Sequence, residues 1–343
     1  MPSISSFFAQ AFFEAFQPTT HQAPKITNPF IAHAPGLSEG MQQIPWRELT
    51  TFFASVEQAN GDGNIGLLAY EQAHPRNLGV LGYAVMSSST VRNALKYIVD
   101  YHSLIGCGFC MFLDEQPATL KLVGFAEDLA DLELPRVFID AIASITLGLL
   151  HWLVPNKKIV PIAAEFTYPE PDDTQQLKKM FGPNLKFGAN ANSLTFHGED
   201  GKLPIMMADP MLQAIHRDYL AMQHRKLVAD KMSSCTKSVL LQHLYQALPL
   251  TLEDVAKTMS LTPYQLVHSL ECEGQSFKKL LDKVKSQKGH LLLTGTDLSL
   301  KQISYQLQFK NQSAFNKACE RWFGMPPGSY RLCKRLAADH AVD

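Results

Sequence analysis

The sequence predicts an α+β domain followed by an all-helical domain that carries two helix-turn-helix units. Three observations predict it. Strand-like and helix-like stretches are mixed without strict alternation up to about residue 200, the mark of an α+β arrangement. From Met211 onward, short turns apart, the chain reads as helix. Within that helical part, a helix–turn–helix pattern occurs twice, with Leu252 and Leu300 48 positions apart.

The chain has 343 residues, enough for two domains of ordinary size, and its 46% hydrophobic and 18% charged residues are those of a globular protein. Residues 1–40 read as an N-terminal segment. Within it, Ile4, Phe7, Phe8, Ala11, Phe12 and Phe16 recur at helical spacing, an amphipathic helix that docks on the body or on a partner chain. It has no basic leader, and Glu14 interrupts the apolar run before it could span a bilayer, so neither a signal peptide nor a membrane is expected.

Residues 41–222 form the expected first domain. A helix is expected over 44–58, with Trp46, Leu49, Phe52, Phe53 and Val56 on one face. The stretch 77–86 is apolar and punctuated by glycine, leading into a buried element. Ser89 or Thr90 caps a helix that holds Val91, Ala94, Leu95, Ile98, Val99 and His102. Strands are expected at 109–113 and 119–123, joined across 114–117, and again at 161–167 and 193–196. Between them lie a very apolar, buried helix over 134–154 and a polar helix over 172–180. Residues 223–236 are polar and basic and read as the end of a long helix and a linker. The second domain spans 237–335, with a tail at 336–343.

Charge divides along the same line. Residues 236–343 carry 14 Lys and Arg against 9 Asp and Glu, a net of +5, whereas the preceding 235 residues carry 17 against 23, a net of −6. A basic tail permits a nucleic-acid partner; an unevenly charged enzyme would show the same split. The six cysteines, at 107, 110, 235, 272, 319 and 333, are too sparse for a disulfide framework and fit a reducing cytoplasm.

Each C-terminal repeat has what a helix-turn-helix requires. The first helix, 252–259 or 300–307, turns an apolar face inward. Ala256 or Ser304 leaves room where the second helix crosses. A short turn ends in an apolar plug, Leu261 or Phe309. The second helix is anchored by Leu266 and Leu270, or by Phe315, Cys319 and Trp322. Thr251 with Asp254, Thr262 with Gln265 behind Pro263, and Ser299 with Gln302 supply N-terminal caps. One continuous helix, about 276–293, joins the units. A generic helical bundle explains one such pattern as well as DNA binding does; two, rigidly joined, favour DNA.

The block 239–331, including Arg321-Trp-Phe-Gly-Met-Pro-Pro-Gly-Ser-Tyr-Arg331, resembles the DNA-binding region of the AraC/XylS family of transcription regulators. Residues 41–230 resemble the effector-binding half of one branch, the arginine/ornithine-type regulators. That likeness rests on 78–95, with its Gly-Tyr and Ser-Ser-Ser-Thr features, and on Met180-Phe-Gly-Pro, Phe187-Gly-Ala and Asn192-Ser-Leu. The resemblance implies a sequence-specific regulator, an activator working with RNA polymerase, controlled by a small-molecule effector. A homodimer is one way it would act.

Two recognition helices on one linking helix can enter successive major-groove segments roughly 34 Å apart. Tyr264, Gln265 and His268 in the first unit are the expected base readers, with Gln312, Ser313, Asn316 and Lys317 in the second. Lys278, Lys279, Lys301 and Lys310 are the expected phosphate contacts. Three positions depart from the family pattern: His268 and Lys285 stand where arginine is usual, and Gln308 where glycine is usual in the second turn. A neutral histidine forgoes a bidentate guanine contact worth roughly 1–3 kcal/mol.

Enzyme motifs do not emerge. Cys107-Gly-Phe-Cys110 has redox or metal spacing but no second pair, and no nucleophile elbow, phosphate-binding glycine loop or His-Glu zinc motif is present. No cofactor or metal is expected. The rival reading is an enzyme or small-molecule-binding protein that uses the helical tail as an interaction module. The first domain's effector pocket is expected to draw on Tyr83, Tyr101, His102, Phe109, Phe112 and Trp152. The density of Phe and Ile points to a fatty-acid-like effector and the family branch to an amino-acid-like one; the residues leave both open.

Overall fold

A computed structural model describes residues 3–16, 43–60, 63–126, 134–189, 191–229, 232–296 and 298–339. The chain divides into two compact units, Met1–Leu227 and Val228–Asp343.

In the first unit, strand β1 (Ser3–Ser5) runs straight into helix α1 (Ser6–Phe16). Strand β2 (Gln43–Pro45) likewise leads into α2 (Trp46–Asn60). The helical spacing of the N-terminal phenylalanines puts Phe8, Phe12 and Phe16 into the core. Phe12 meets the rings of Phe53 at 5.2 Å and of Phe138 at 5.7 Å. The described N-terminal residues are therefore part of the first unit's core and not a separate segment; residues 17–40 lie outside the described residues.

Two short 3-10 turns, Ile65–Gln72 and Pro75–Leu78, precede α3 (Val80–Met86). The glycine-punctuated stretch is thus a turn and a short helix. Gly82 is required there, because a Cβ would fall 1.8 Å from the Pro75 carbonyl oxygen. Helix α4 (Val91–Ile105) starts at Thr90, whose hydroxyl accepts from the Asn93 amide. Strands β3 (Gly106–Cys107), β4 (Phe109–Glu115) and β5 (Thr119–Ala126) follow. Next come α5 (Arg136–Leu153), β6 (Ala163–Glu165), α6 (Gln175–Phe181), β7 (Leu185–Lys186), β8 (Asn192–His197) and α7 (Pro210–Ala229). The expected strand at 161–167 is only three residues long, although the Ile162 amide still donates to the Thr195 carbonyl and the Phe166 amide to the Lys186 carbonyl.

Two sheets result. A small antiparallel one has the order β2-β1-β3, with Ile4 opposite both Ile44 and Gly106. The larger has the order β4-β5-β8-β6-β7, antiparallel except for the β6–β7 pair. Cys107 and Cys110 fall in different sheets, on β3 and β4. Helix α5 is long and apolar enough to cross a membrane, but 67% of it is buried inside the unit. Asp140 on its inner face accepts from the Tyr168 hydroxyl and pairs with Arg136; burial pushes its carboxyl up to about 6.

The second unit is helical. It comprises α8 (Met232–Tyr245), α9 (Leu252–Thr258), α10 (Pro263–Cys272), α11 (Phe277–Gly295), α12 (Leu300–Gln306), α13 (Gln312–Phe323) and α14 (Pro327–Asp339). Most of the expected linker, 223–236, is helix: α7 runs to Ala229 and α8 starts at Met232. The Glu273 carboxylate holds the start of α8 by accepting from the Met232 and Ser233 amides.

Candidate nucleic-acid interface and effector cavity

The first helices and the turns of the two pairs repeat the same backbone bonds at an offset of 48. The Thr251 hydroxyl accepts from the Asp254 amide and starts α9; the Ser299 hydroxyl accepts from the Gln302 amide and starts α12. The first turn closes with the Leu261 amide donating to the Ala256 carbonyl at 2.8 Å. The second closes with Phe309 donating to Ser304 at 3.0 Å. The residue before each plug is left-handed, Ser260 at φ 56° and Gln308 at φ 54°. Ala256 and Ser304 are buried at the crossing, as their small size requires. The repeat slips by one residue at the second helix. Thr262 caps α10 with a full capping box, but the matching Lys310 is passed over and Asn311 caps α13 by accepting from the Ala314 amide.

Helix α11 ties the halves together. The Lys285 ammonium donates to the Gln308 carbonyl at 3.2 Å and lies over the Phe309 ring; burial pushes its pKa down. Asp282 accepts from the Arg321 guanidinium and, at 3.0 Å, from the Trp322 indole N–H. The Gln308 side chain reaches back to donate to the Leu248 carbonyl at 2.7 Å, next to the first pair. Two of the three residues that depart from the family pattern, Lys285 and Gln308, are thus bonded to each other across the joint.

The outward faces are open. Tyr264 is 78% exposed and stacks on the exposed His268 ring. Gln312, Ser313 and Lys317 are exposed on α13, as are Lys278, Lys279, Lys301 and Lys310. Two expected readers are less free. The Gln265 side-chain oxygen is occupied by the Thr262 amide and hydroxyl in the capping box. Asn316 is half-buried, with its Oδ1 sealed from solvent and without a hydrogen-bond partner. Position on a recognition helix suggested both; capping and burial, which depend on neighbouring turns, were not readable from it. Tyr305, 82% exposed on α12, was overlooked because the first helix of such a pair is read for packing alone.

In the first unit a cavity of about 140 Å³ lies between β4, β5, β8, α4 and α5. Phe8, Ile98, Phe109, Met111, Phe138 and Leu194 are among its walls. Of the expected wall residues only Phe109 lines it. The other five lie elsewhere in the unit. Phe112 points to the opposite side of β4 from Phe109 and Met111, because successive strand residues alternate. Tyr83 is on the surface against His216. Tyr101 packs on Tyr97 and His224. His102 is bonded to the Val99 carbonyl, and burial lowers its pKa; Trp152 packs on His74.

A helical unit offering two helix-turn-helix surfaces, preceded in the chain by an α+β unit with an apolar cavity, defines a transcription regulator with separate DNA-binding and effector-binding domains. The chain belongs to the AraC family of transcription regulators. Residues 33–205 match the "Arabinose-binding domain of AraC transcription regulator, N-term", and residues 255–332 match a helix-turn-helix domain. The Ornithine utilization regulator of Pseudomonas aeruginosa is 24% identical over 280 residues, 81% of each chain. The regulator VirS of Mycobacterium tuberculosis is 32% identical over 154 residues, 45% of each chain. Among solved structures, the transcriptional regulator CdpR from Pseudomonas aeruginosa aligns at a TM-score of 0.41 and 20% identity, covering 86% of this chain and all of that one.

Proposed function

We propose that the chain activates transcription as a homodimer, reading its operator with both recognition helices of each copy and contacting RNA polymerase from the bound position. The observation that carries this reading is the open outward face of α10 and α13 on a shared, bonded frame. Tyr264 and His268 would read bases from the first unit and Gln312, Ser313 and Lys317 from the second, with Gln265 and Asn316 in supporting positions. Lys278, Lys279, Lys301 and Lys310 supply phosphate contacts, and Tyr305 joins them. Footprinting on a bound promoter tests this: four protected major-groove segments are expected, two for each copy and one helical turn apart within each pair, and protection of a single segment per copy argues against it.

The dimer reading rests on α7. Leu212, Ile215, Tyr219 and Met222 follow the three-and-four spacing of a paired helix, and with Met211 they are 38–75% exposed. Met206, Met207 and Tyr83 are exposed as well, at 65%, 52% and 54%. The stripe is symmetric about its middle. An antiparallel second copy sets Leu212 against Met222 and Ile215 against Tyr219, the self-complementarity that a two-fold contact needs. Ile215→Glu should turn a dimer into a monomer in light scattering; a wild-type chain that is monomeric at micromolar concentration removes the dimer from the reading. Effector binding in the first domain then shifts a pre-existing equilibrium toward the form that holds DNA.

A further inference from the structure

We infer that the cavity in the first unit takes an uncharged apolar ligand, or the hydrocarbon portion of one, about the size of a substituted benzene ring. The inference rests on this unit being the effector-binding domain and names the class of effector.

The wall composition carries it. Among the described residues no charged side chain lines the cavity, and the polar side chains there are Thr146, Asn192 and Ser193. Each already holds a hydrogen bond within the protein. The Thr146 hydroxyl donates to the Ile142 carbonyl at 2.8 Å, the Asn192 Oδ1 accepts from the Thr167 amide at 2.9 Å, and the Ser193 hydroxyl donates to Glu165 at 2.9 Å. A sugar or a zwitterionic amino acid entering here would give up its hydration for little more than the Asn192 amide N–H groups and a few remaining lone pairs, with no counter-charge among these residues, at a cost of several kcal/mol. An apolar molecule loses nothing comparable, and an apolar protein cavity of roughly 150 Å³ is known to take benzene.

The sheet side of the cavity contains its own means of test. Gly124 on β5 pairs with Met111 and lines the cavity, so a side chain there would point inward. An added Cβ meets only the Cys110 carbonyl oxygen, at 3.9 Å. Valine at this strand position raises strand propensity while filling the space. Ala143→Leu fills it from α5.

The experiment is thermal unfolding of the full chain with toluene, L-lysine or D-xylose as probe, alongside binding of the same preparations to genomic DNA fragments. Saturating toluene should raise the wild-type midpoint by about 2–4 °C, and the two polar probes should leave it unchanged. Gly124→Val and Ala143→Leu should unfold no earlier than wild type and lose the toluene shift; if one fails to fold, the other serves. The inference is overturned by a wild-type midpoint indifferent to toluene, by a toluene shift that survives filling, or by a polar-probe shift that filling removes. If DNA binding persists in that event, only the ligand class falls; if DNA binding is missing as well, the regulator reading falls with it.

Discussion

The first and second helix-turn-helix units share a backbone plan and differ in what fills it. The first is held by aliphatic side chains, Val255, Leu266 and Leu270, and its recognition helix carries no lysine or arginine. The second is held by an aromatic cluster in which Phe309 meets Phe315 at 5.6 Å and Trp322 at 5.8 Å, and its recognition helix carries Lys317 and Arg321. The same bonds at the same offset therefore give one unit suited to shape and stacking contacts and another suited to charged ones. The fold of such a unit is set by caps, a small residue at the crossing and a plug, while its affinity is set separately by the outward residues.

That contrast can be broken in several ways. Phe315→Ala, at a fully buried site, should destabilise the second unit by about 3–5 kcal/mol in urea unfolding, with Leu266→Ala costing the first unit about 2–5. Equal loss of both helix pairs in either variant would mean that the two are one cooperative block. His268→Arg should restore a base contact to the charge-poor helix and tighten specific binding by roughly 1–3 kcal/mol; no gain would place position 268 off the base edges. Lys317→Ala should weaken binding about tenfold, with a greater loss on the specific site than on random DNA.

The joint between the units should respond to pH. Burial pushes Lys288 on α11 down to about 8. The native state therefore holds this proton less well than the unfolded chain does. The cost is fully present below pH 8 and fades as pH rises toward the ordinary lysine value. Lys288→Met should stabilise the chain by about 1–2 kcal/mol at pH 7, with the advantage shrinking above pH 8; a constant advantage would point to packing instead. The smallest effect expected is at the turns. Ser260→Gly relieves a left-handed residue and should add up to about 1 kcal/mol, whereas Gln308→Gly also removes the bond to Leu248 and should gain less.

Much of the second unit was legible in the sequence because its signals are local. Thr251, Thr262 and Ser299 cap the helices they were expected to cap, and the offset of 48 marks both turns. The buried α5 and the β4–β5 hairpin were legible for the same reason. The cavity was not. Its walls come from segments as distant as Ile4 and Leu194, and which face of a helix or strand turns toward it depends on packing that periodicity does not encode. Phe109 and Phe112 illustrate the point: both are aromatic and both lie on β4, yet only one can face a given side.

The central claim is that α10 and α13 read DNA together. It is tested most directly by measuring binding of the full chain to promoter fragments recovered from genome-wide mapping of its bound sites, across a salt series, for wild type and Lys317→Ala. The expected result is tighter binding to those fragments than to random DNA, a steep fall with salt, and for the variant a smaller preference for those fragments at every salt concentration. Equal affinity for both kinds of DNA, unchanged in Lys317→Ala, would contradict it.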